Sequence, residues 1–327
     1  MTTRKPRDLE HRYSAQPMGS QVMQLLERWG PEHCEVISLD QSNALCRRLA
    51  LGHYENFNVL SRFMPASIRD GACAVYAFCR WADDLADESP TTERAKVLLA
   101  WWRGQLQACF DGDATHPVFV ALMPAIQHHG LEQSPFDDLL TAFEQDQDVR
   151  RYATWSSVLD YCSRSANPVG RLVLRLGGAD ESPGQLELAD HVCSGLQLAN
   201  HWQDVRRDLL GRDRIYLPAD MHDIADFEHR LAETCRLGHA PDQTFLAAYR
   251  SLVKRLVART RPMLESIDAL LEGAPAVLRP MLWLFGAGGL AVLDGIDRCQ
   301  HETVLMRPHV SKWRKAILLL HARRLAP

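Results

Sequence analysis

The 327-residue sequence has no surplus of positive charge. It carries 37 Lys and Arg against 41 Asp and Glu, a formal net charge of −4. A protein that binds nucleic acid needs a concentrated basic surface, so we expect no nucleic-acid partner. A small anionic ligand remains compatible with this balance, because a few local cations are enough to bind it.

The sequence also lacks paired cysteines. Its nine cysteines stand singly and form no C-x-x-C, which is typical of free thiols in a reducing compartment. The first 20 residues lack the apolar stretch of a secretory signal, and we expect them to be disordered. These features predict a cytoplasmic protein with a single folded domain over residues 21–327.

Long apolar runs and strand patterns are scarce as well. The most apolar stretch, 281–293, is too short to cross a bilayer and contains Gly286, Gly288 and Gly289, so any membrane contact should be peripheral. No G-x-G-x-x-G follows a strand pattern. We therefore expect neither a nicotinamide nor a flavin cofactor.

Helical periodicity, by contrast, covers most of the chain. Ser134-Pro135 is a helix-start signal, and Gly130, Gly177 and Gly211 are helix-stop signals. The predicted helices cover 21–29, 40–52, 67–88, 92–110, 116–129, 135–148, 155–176, 184–209, 242–271, 276–299 and 309–323. The expected fold is all-α and forms one domain.

One of these helices ends in a cluster of acids. The apolar segment 72–82 runs directly into Asp83, Asp84, Asp87 and Glu88. Residues four apart share a helix face, so Asp83 and Asp87 project together, at a cost of about 0.2–0.5 kcal/mol for the like charges. A Mg²⁺ ion between the carboxylates would remove this cost. Taken alone, the pattern is more typical of a solvated helix end.

A second polar stripe favours the metal interpretation. Asn200, Asp204 and Asp208 recur at i, i+4 and i+8 among apolar residues. Buried carboxylates are costly without a cation or another partner. Pairing with Arg206 or Arg207 stays open, although neither shares that face. Together the two stripes predict opposed metal sites that hold a diphosphate.

The same segments carry a family resemblance. Three of them resemble the signatures of squalene and phytoene synthases: Y-A-F-C-R-W-A-D-D-L-A-D (76–87), Q-L-A-N-H-W-Q-D-V-R-R-D (197–208) and D-R-I-Y-L-P (213–218). The likeness runs from about residue 53 to 308, in matching order. H-Y-E-N-F (53–57) and N-H-W-Q-D (200–204) further resemble the hydroxysqualene synthases of the bacterial hopanoid pathway.

The resemblance implies a class I isoprenoid synthase bundle around a central apolar cavity, with two or three Mg²⁺ ions. The implied metal ligands are Asp83, Asp87, Asn200, Asp204 and Asp208. Their four aspartates are also the implied catalytic residues, together with Tyr76. The implied contacts to the substrate diphosphate are His53, Tyr54, Asn56, Arg80, Gln197, Arg214 and Tyr216.

Several of these positions have plainer alternatives. Arg80 can instead form a salt bridge with Asp83 or Asp84 one turn away, and Tyr76 can be an ordinary core residue. The candidates for the apolar cavity wall are Phe57, Val169, Leu172, Leu196, Leu282, Phe285 and 287–289. An ordinary core position fits each of them equally well.

The implied reaction is ionisation of presqualene diphosphate and capture of the cation by water, which gives hydroxysqualene. Gln203 stands where many family members carry arginine, and Tyr54 stands where serine is common. Both departures fit an enzyme that handles one diphosphate rather than two farnesyl diphosphates. Asn58 stands at a position where proline is expected in the hopanoid branch.

Other functions remain open at this point. Head-to-head condensation of two prenyl diphosphates is the main alternative, and a terpene cyclase or an assembly factor on the same fold are the others. The intact second aspartate motif argues against the last two. The basic segment 312–315 suggests peripheral contact with the inner face of the cell membrane, and neighbouring enzymes of the pathway are possible partners.

Overall fold

A computed structural model describes residues 21–53 and 63–326, except for the side chains of residues 21, 52 and 53. Within these ranges the backbone is helical and forms isolated bridges but no β-strand. The all-α prediction is confirmed. Residues 1–20, which were predicted to be disordered, lie outside the described part. So do the side chain of His53 and the residues Tyr54, Asn56, Phe57 and Asn58.

The helices are numbered in chain order. They are α1 (Gln21–Trp29), α2 (Leu39–His53), α3 (Ala66–Asp87), α4 (Thr92–Asp111), α5 (Pro117–His129), α6 (Ser134–Gln145), α7 (Trp155–Ser165), α8 (Asn167–Leu176), α9 (Pro183–Gln203), α10 (Val205–Arg212), α11 (Phe227–Leu237), α12 (Gln243–Glu265), α13 (Ile267–Glu272), α14 (Arg279–Arg298) and α15 (Lys312–Leu325). None of the helices in the described ranges is both long enough and apolar enough to span a membrane.

Local capping explains why many helix boundaries follow from the sequence. The Thr154 hydroxyl accepts a hydrogen bond from the Ser157 backbone N–H, and the Ser157 hydroxyl accepts one from the Thr154 backbone N–H, which makes a capping box at the start of α7. Gly112 and Gly130 end α4 and α5 with φ of 91° and 62°. This left-handed conformation suits glycine at a helix end.

The predicted helices differ from the structure mainly where one long helix was expected. Predicted 155–176 is broken at Ala166, because Pro168 occupies the first turn of a new helix. Predicted 184–209 is interrupted at Asp204, whose φ and ψ of −102° and 12° are not helical. Predicted 242–271 divides at Ser266, and α11 was not predicted.

Two adjoining hydrophobic cores support the bundle. In the first, Trp81 of α3 stacks on Trp102 of α4 with ring centroids 5.2 Å apart. In the second, Trp202 of α9 lies fully buried and donates a hydrogen bond to Thr260 of α12 over 2.9 Å. The first half of α9 belongs to one core and its second half to the other. Both acidic stripes therefore stand on well-packed helices.

Glycines let α14 approach its neighbours. A Cβ at Gly286 would lie 2.7 Å from the Ile267 side chain, and one at Gly289 would lie 2.8 Å from Leu264 and 2.9 Å from Leu196. Helix α14 therefore touches α12 and α9 at Gly289. At Gly288 an added Cβ would meet no described atom within 4 Å.

Candidate active site

The first acidic stripe forms the last two turns of α3. Three other residues of these turns, Trp81, Ala82 and Leu85, are fully buried. Their packing prevents the helix from rotating its acids into solvent. Arg80 lies 3.4 Å from the Asp83 carboxylate and pairs with Asp84. The salt-bridge alternative for Arg80 is therefore present in this structure.

Asp83 is surrounded by protein without being sealed from solvent. Burial, followed by the neighbouring Asp87 carboxylate, raises the pKa of Asp83 to about 6, yet 39% of its side chain is accessible. Four residues earlier on the same helix, burial raises the pKa of the Cys79 thiol to about 12, although this side chain is also only partly buried. This face of α3 therefore combines surrounding protein with access for a ligand.

The second stripe lies where α9 gives way to α10. Asn200 is exposed, whereas Asp204 and Asp208 are buried. The Asp208 N–H donates to the Asp204 carbonyl over 2.9 Å, which continues the helical direction past the break. Burial, followed by the Asp204 carboxylate, raises the pKa of Asp208 to about 7.

This raised pKa predicts how Asp208→Asn changes stability with pH. The pKa of an unfolded aspartate is about 3.9, so the folded protein holds the proton more tightly, and the fold is progressively weakened as the pH rises from about 4 to about 7. In chelator-treated protein, we expect Asp208→Asn to raise the free energy of unfolding at pH 8. The gain should become small at pH 4, where Asp208 is neutral in the folded protein and about half protonated in the unfolded chain. Urea unfolding at both pH values measures this, and a pH-independent gain would contradict it.

Two arginines join the stripes. Arg212, at the end of α10, lies 2.7 Å from the Asp87 carboxylate, and Arg214 lies 3.0 Å from it. The backbone N–H of Arg214 donates to the carbonyl of Asp208 over 3.1 Å. Between them, Asp213 has φ of 53°, which turns the chain back towards α3. The acids of α3 and α10 therefore belong to one site.

Buried polar and aromatic groups hold Arg214 from behind. Its guanidinium donates to the backbone carbonyl of Asp146 over 3.1 Å and lies 3.6 Å from the Asp146 carboxylate. Tyr161 donates to the same carboxylate over 2.9 Å. Tyr216 is buried and stacks on His201 with ring centroids 3.7 Å apart. The loop 213–218 is thus firmly packed onto the site.

Gln203 connects the second stripe to the segment before α15. Its side-chain amide donates to the Pro308 carbonyl over 2.6 Å. The adjacent Arg307 pairs with Asp204, with one N···O distance of 3.2 Å, and Arg207 lies 3.2 Å from the same carboxylate. The pairing with Arg207 that sequence left open therefore occurs. Gln203 itself is buried, and the hydrogen bond that it donates to Pro308 is structural.

The other predicted site residues are partly accessible. Tyr76 lies one turn before Arg80 on α3, and Gln197 lies one turn before Asn200 on α9. Among the predicted cavity residues, Val169, Leu196 and Phe285 retain accessible area. Leu172 and Leu282 are buried core residues.

Sequence reasoning missed four residues of the site: Asp146, Tyr161, Arg212 and Arg307. Arg212 could have been found, because it lies four residues beyond Asp208 on the same helical face. Asp146 and Arg307 carry no local signal. They reach the stripes from helices and loops distant in sequence.

The donor atoms of the two stripes fit a divalent cation. Within the described ranges, no group of three or more His, Cys, Asp or Glu side chains is arranged to hold a metal ion. Mg²⁺ that also binds phosphate typically takes only one or two carboxylates from the protein. Asp83 beside Asp87, and Asp208 beside Asp204, supply such pairs. Burial, followed by the neighbouring carboxylate, raises the pKa of Asp83 and of Asp208.

Comparison with known proteins identifies the family. A family model described as squalene/phytoene synthase matches residues 51–314. The chain belongs to the squalene/phytoene synthase family. The family expected from the aspartate-rich segments is confirmed, and the matched region contains both stripes and the loop that carries Arg214.

Curated members of the squalene/phytoene synthase family match over part of their length. The hydroxysqualene synthase of Sinorhizobium fredii is 38% identical over 172 residues, which cover 52% of this chain and 57% of that enzyme. The presqualene diphosphate synthase of Rhodopseudomonas palustris is 34% identical over 174 residues, 53% of this chain and 61% of that enzyme. The chain thus spans little more than half the length of these relatives.

The fold extends the similarity further along the chain. The crystal structure of squalene synthase HpnC from Alicyclobacillus acidocaldarius is similar with a TM-score of 0.70 and 36% identity. The superposition covers 80% of this chain and 95% of that chain. The predicted isoprenoid synthase fold is confirmed by this likeness.

Proposed function

We propose that this chain ionises presqualene diphosphate in a Mg²⁺-dependent reaction and lets water capture the cation. The C–O bond to the diphosphate breaks, and its electron pair leaves with the diphosphate. A water oxygen then bonds to the cation and loses a proton, which gives hydroxysqualene. The observation that carries this proposal is the joining of both acidic stripes by Arg212 and Arg214 at Asp87.

The proposal assigns the two stripes to metal binding. The residues that would hold Mg²⁺ are Asp83, Asp87, Asn200, Asp204 and Asp208. When bound, Mg²⁺ supplies positive charge that stabilises the departing diphosphate. Arg212 and Arg214, which lie 2.7 Å and 3.0 Å from the Asp87 carboxylate, would add positive charge beside the same anion.

The remaining candidate contacts follow from position. Arg80 and Arg307 each already pair with an acid of one stripe, so a bound diphosphate would lie within reach of both guanidinium groups. Tyr76 and Gln197 each stand one turn deeper along their helices than Arg80 and Asn200. We assign them to the boundary between the diphosphate and the hydrocarbon chain.

An apolar wall is needed to shelter the cation from early attack by water. Val169, Leu196 and Phe285 retain accessible area while packing against the core, and Gly288 leaves open space on α14. We assign this surface to the hydrocarbon part of the substrate. It restricts water to the place where capture occurs.

A second candidate is head-to-head condensation of two farnesyl diphosphates. It is favoured by the similarity to a presqualene diphosphate synthase at 34% identity. The hydroxysqualene reaction has more support, because relatives named for it match at 38% and 35% identity.

Product analysis separates the candidates. The purified protein is incubated with Mg²⁺ and, separately, with presqualene diphosphate and with farnesyl diphosphate, and the lipids are identified by mass spectrometry. We expect hydroxysqualene from presqualene diphosphate alone, no product with excess EDTA, and recovery when Mg²⁺ is restored. Presqualene diphosphate formed from farnesyl diphosphate would support the second candidate. No product from either substrate would contradict both and favour the assembly-factor alternative.

A further inference from the structure

Helix α15 lies on the outside of the bundle against α14. The Trp283 and His321 rings are 5.6 Å apart, and Arg314 lies 3.6 Å from Asp294. The start of each helix therefore lies near the end of the other, and the two run antiparallel. At 14 residues, α15 is about 20 Å long, so it presents an extended outer surface.

The apolar residues of α15 form two opposite faces. Leu318, Leu319 and Ala322 point inward and pack on the core. Trp313, Ile317 and Leu320 recur at i, i+4 and i+7 and fall within about 60° of the helix circumference. Their exposed fractions are 83%, 47% and 58%. The first face packs on the bundle, and the second is largely open to solvent.

The charge on this helix has one sign. Its sequence, K-W-R-K-A-I-L-L-L-H-A-R-R-L, contains five Lys and Arg and no Asp or Glu, whereas the whole chain has a net charge of −4. Lys312, Arg323 and Arg324 are exposed. Lys312 and Arg323 lie along one edge of the outer apolar face, and Arg324 lies at its C-terminal end.

We propose that the outer face of α15, defined by Trp313, Ile317 and Leu320 with Lys312, Arg323 and Arg324, docks the protein onto an anionic lipid surface. Exposed tryptophan beside aliphatic side chains suits the boundary between headgroups and acyl chains. The cations attract anionic lipids and can extend towards their headgroups. A second copy of this chain fits less well, because an isologous contact would bring two sets of like charges together.

Vesicle binding tests this surface on the full chain. Sedimentation is measured with phosphatidylcholine vesicles and with vesicles of phosphatidylcholine and phosphatidylglycerol in equal parts. An apolar variant carries Trp313→Ser, Ile317→Ser and Leu320→Ser, and a charge variant carries Lys312→Gln, Arg323→Gln and Arg324→Gln. The matched control carries Val36→Ser and Leu237→Ser, which remove exposed apolar side chains elsewhere, with exposed fractions of 82% and 49%.

We expect binding to the anionic vesicles only. The charge variant should bind roughly 100-fold more weakly, the apolar variant at least about tenfold more weakly, and the control like the wild type. Turnover of detergent-dispersed substrate should be equal in all four proteins. The vesicle-binding result is therefore independent of the proposed function. Equal binding to both vesicle types, or wild-type binding by both variants, would overturn the proposal. A wild-type dimer that the apolar variant converts to a monomer would also overturn it and assign the face to a second copy.

Discussion

Asp83→Asn and Asp204→Asn are each expected to lower turnover of presqualene diphosphate about 100- to 1,000-fold. Asparagine keeps the volume of the side chain but removes the negative charge that a divalent cation needs. Each substitution removes one carboxylate of a pair, Asp83 beside Asp87 and Asp204 beside Asp208. The loss should appear in kcat at saturating Mg²⁺, because stabilisation of the departing diphosphate is an effect on the transition state.

The matched control for this loss is Glu88→Gln. Glu88 is exposed and immediately follows α3. The substitution therefore removes a neighbouring charge without changing Asp83 or Asp87. We expect its turnover to stay close to that of the wild type, and we expect circular dichroism and the melting temperature to show all three variants folded. Full activity in both aspartate variants would remove the metal mechanism from this site.

Arg214→Met is expected to lower the free energy of unfolding by roughly 3–5 kcal/mol, because it leaves the buried Asp146 carboxylate without its arginine and removes one of the two arginines at Asp87. Only 9% of the Arg214 side chain is exposed, and the Asp87 and Asp146 side chains are 6% and 8% exposed. Burial already raises the pKa of Asp146 to about 7 in the presence of this arginine. Without it, Asp146 would resist ionisation more strongly.

Arg150→Met provides the comparison for Arg214→Met. Arg150 pairs with Asp213, next to Arg214 in the chain, but both members of this pair are about half exposed. Exposed substitutions of this kind usually change stability by less than about 0.5 kcal/mol. Denaturant unfolding of both variants measures the difference. An equal change in the two would show that Arg214 does not act as a buried structural cation.

The central helix and its acids were predictable because their signals are local. Helix α3 begins and ends within one residue of the predicted 67–88, since an unbroken apolar segment runs into polar residues and Pro90. The spacing of Asp83 and Asp87, and of Asp204 and Asp208, fixes each pair on one helix face. The resemblance then showed that the two stripes follow one another in the order found in the family, which periodicity alone could not show.

The groups that complete the site were not predictable in the same way. Arg307 reaches Asp204 across 103 positions of sequence, and Arg214 reaches Asp87 across 127. Such contacts depend on how helices pack, and helix periodicity carries no information about that. Gln203 shows the same limit, since its hydrogen bond to Pro308, 105 positions further along the chain, has no local signal in the sequence.

The most direct test of a single metal and diphosphate site is Mn²⁺ binding followed by electron paramagnetic resonance, with and without inorganic diphosphate. One variant carries Asp83→Asn and Asp87→Asn, and another carries Asp204→Asn and Asp208→Asn. If the stripes form one site, diphosphate will tighten Mn²⁺ binding to the wild type, and either variant alone will lose that effect. Tightening by diphosphate that persists unchanged in both variants would contradict the account.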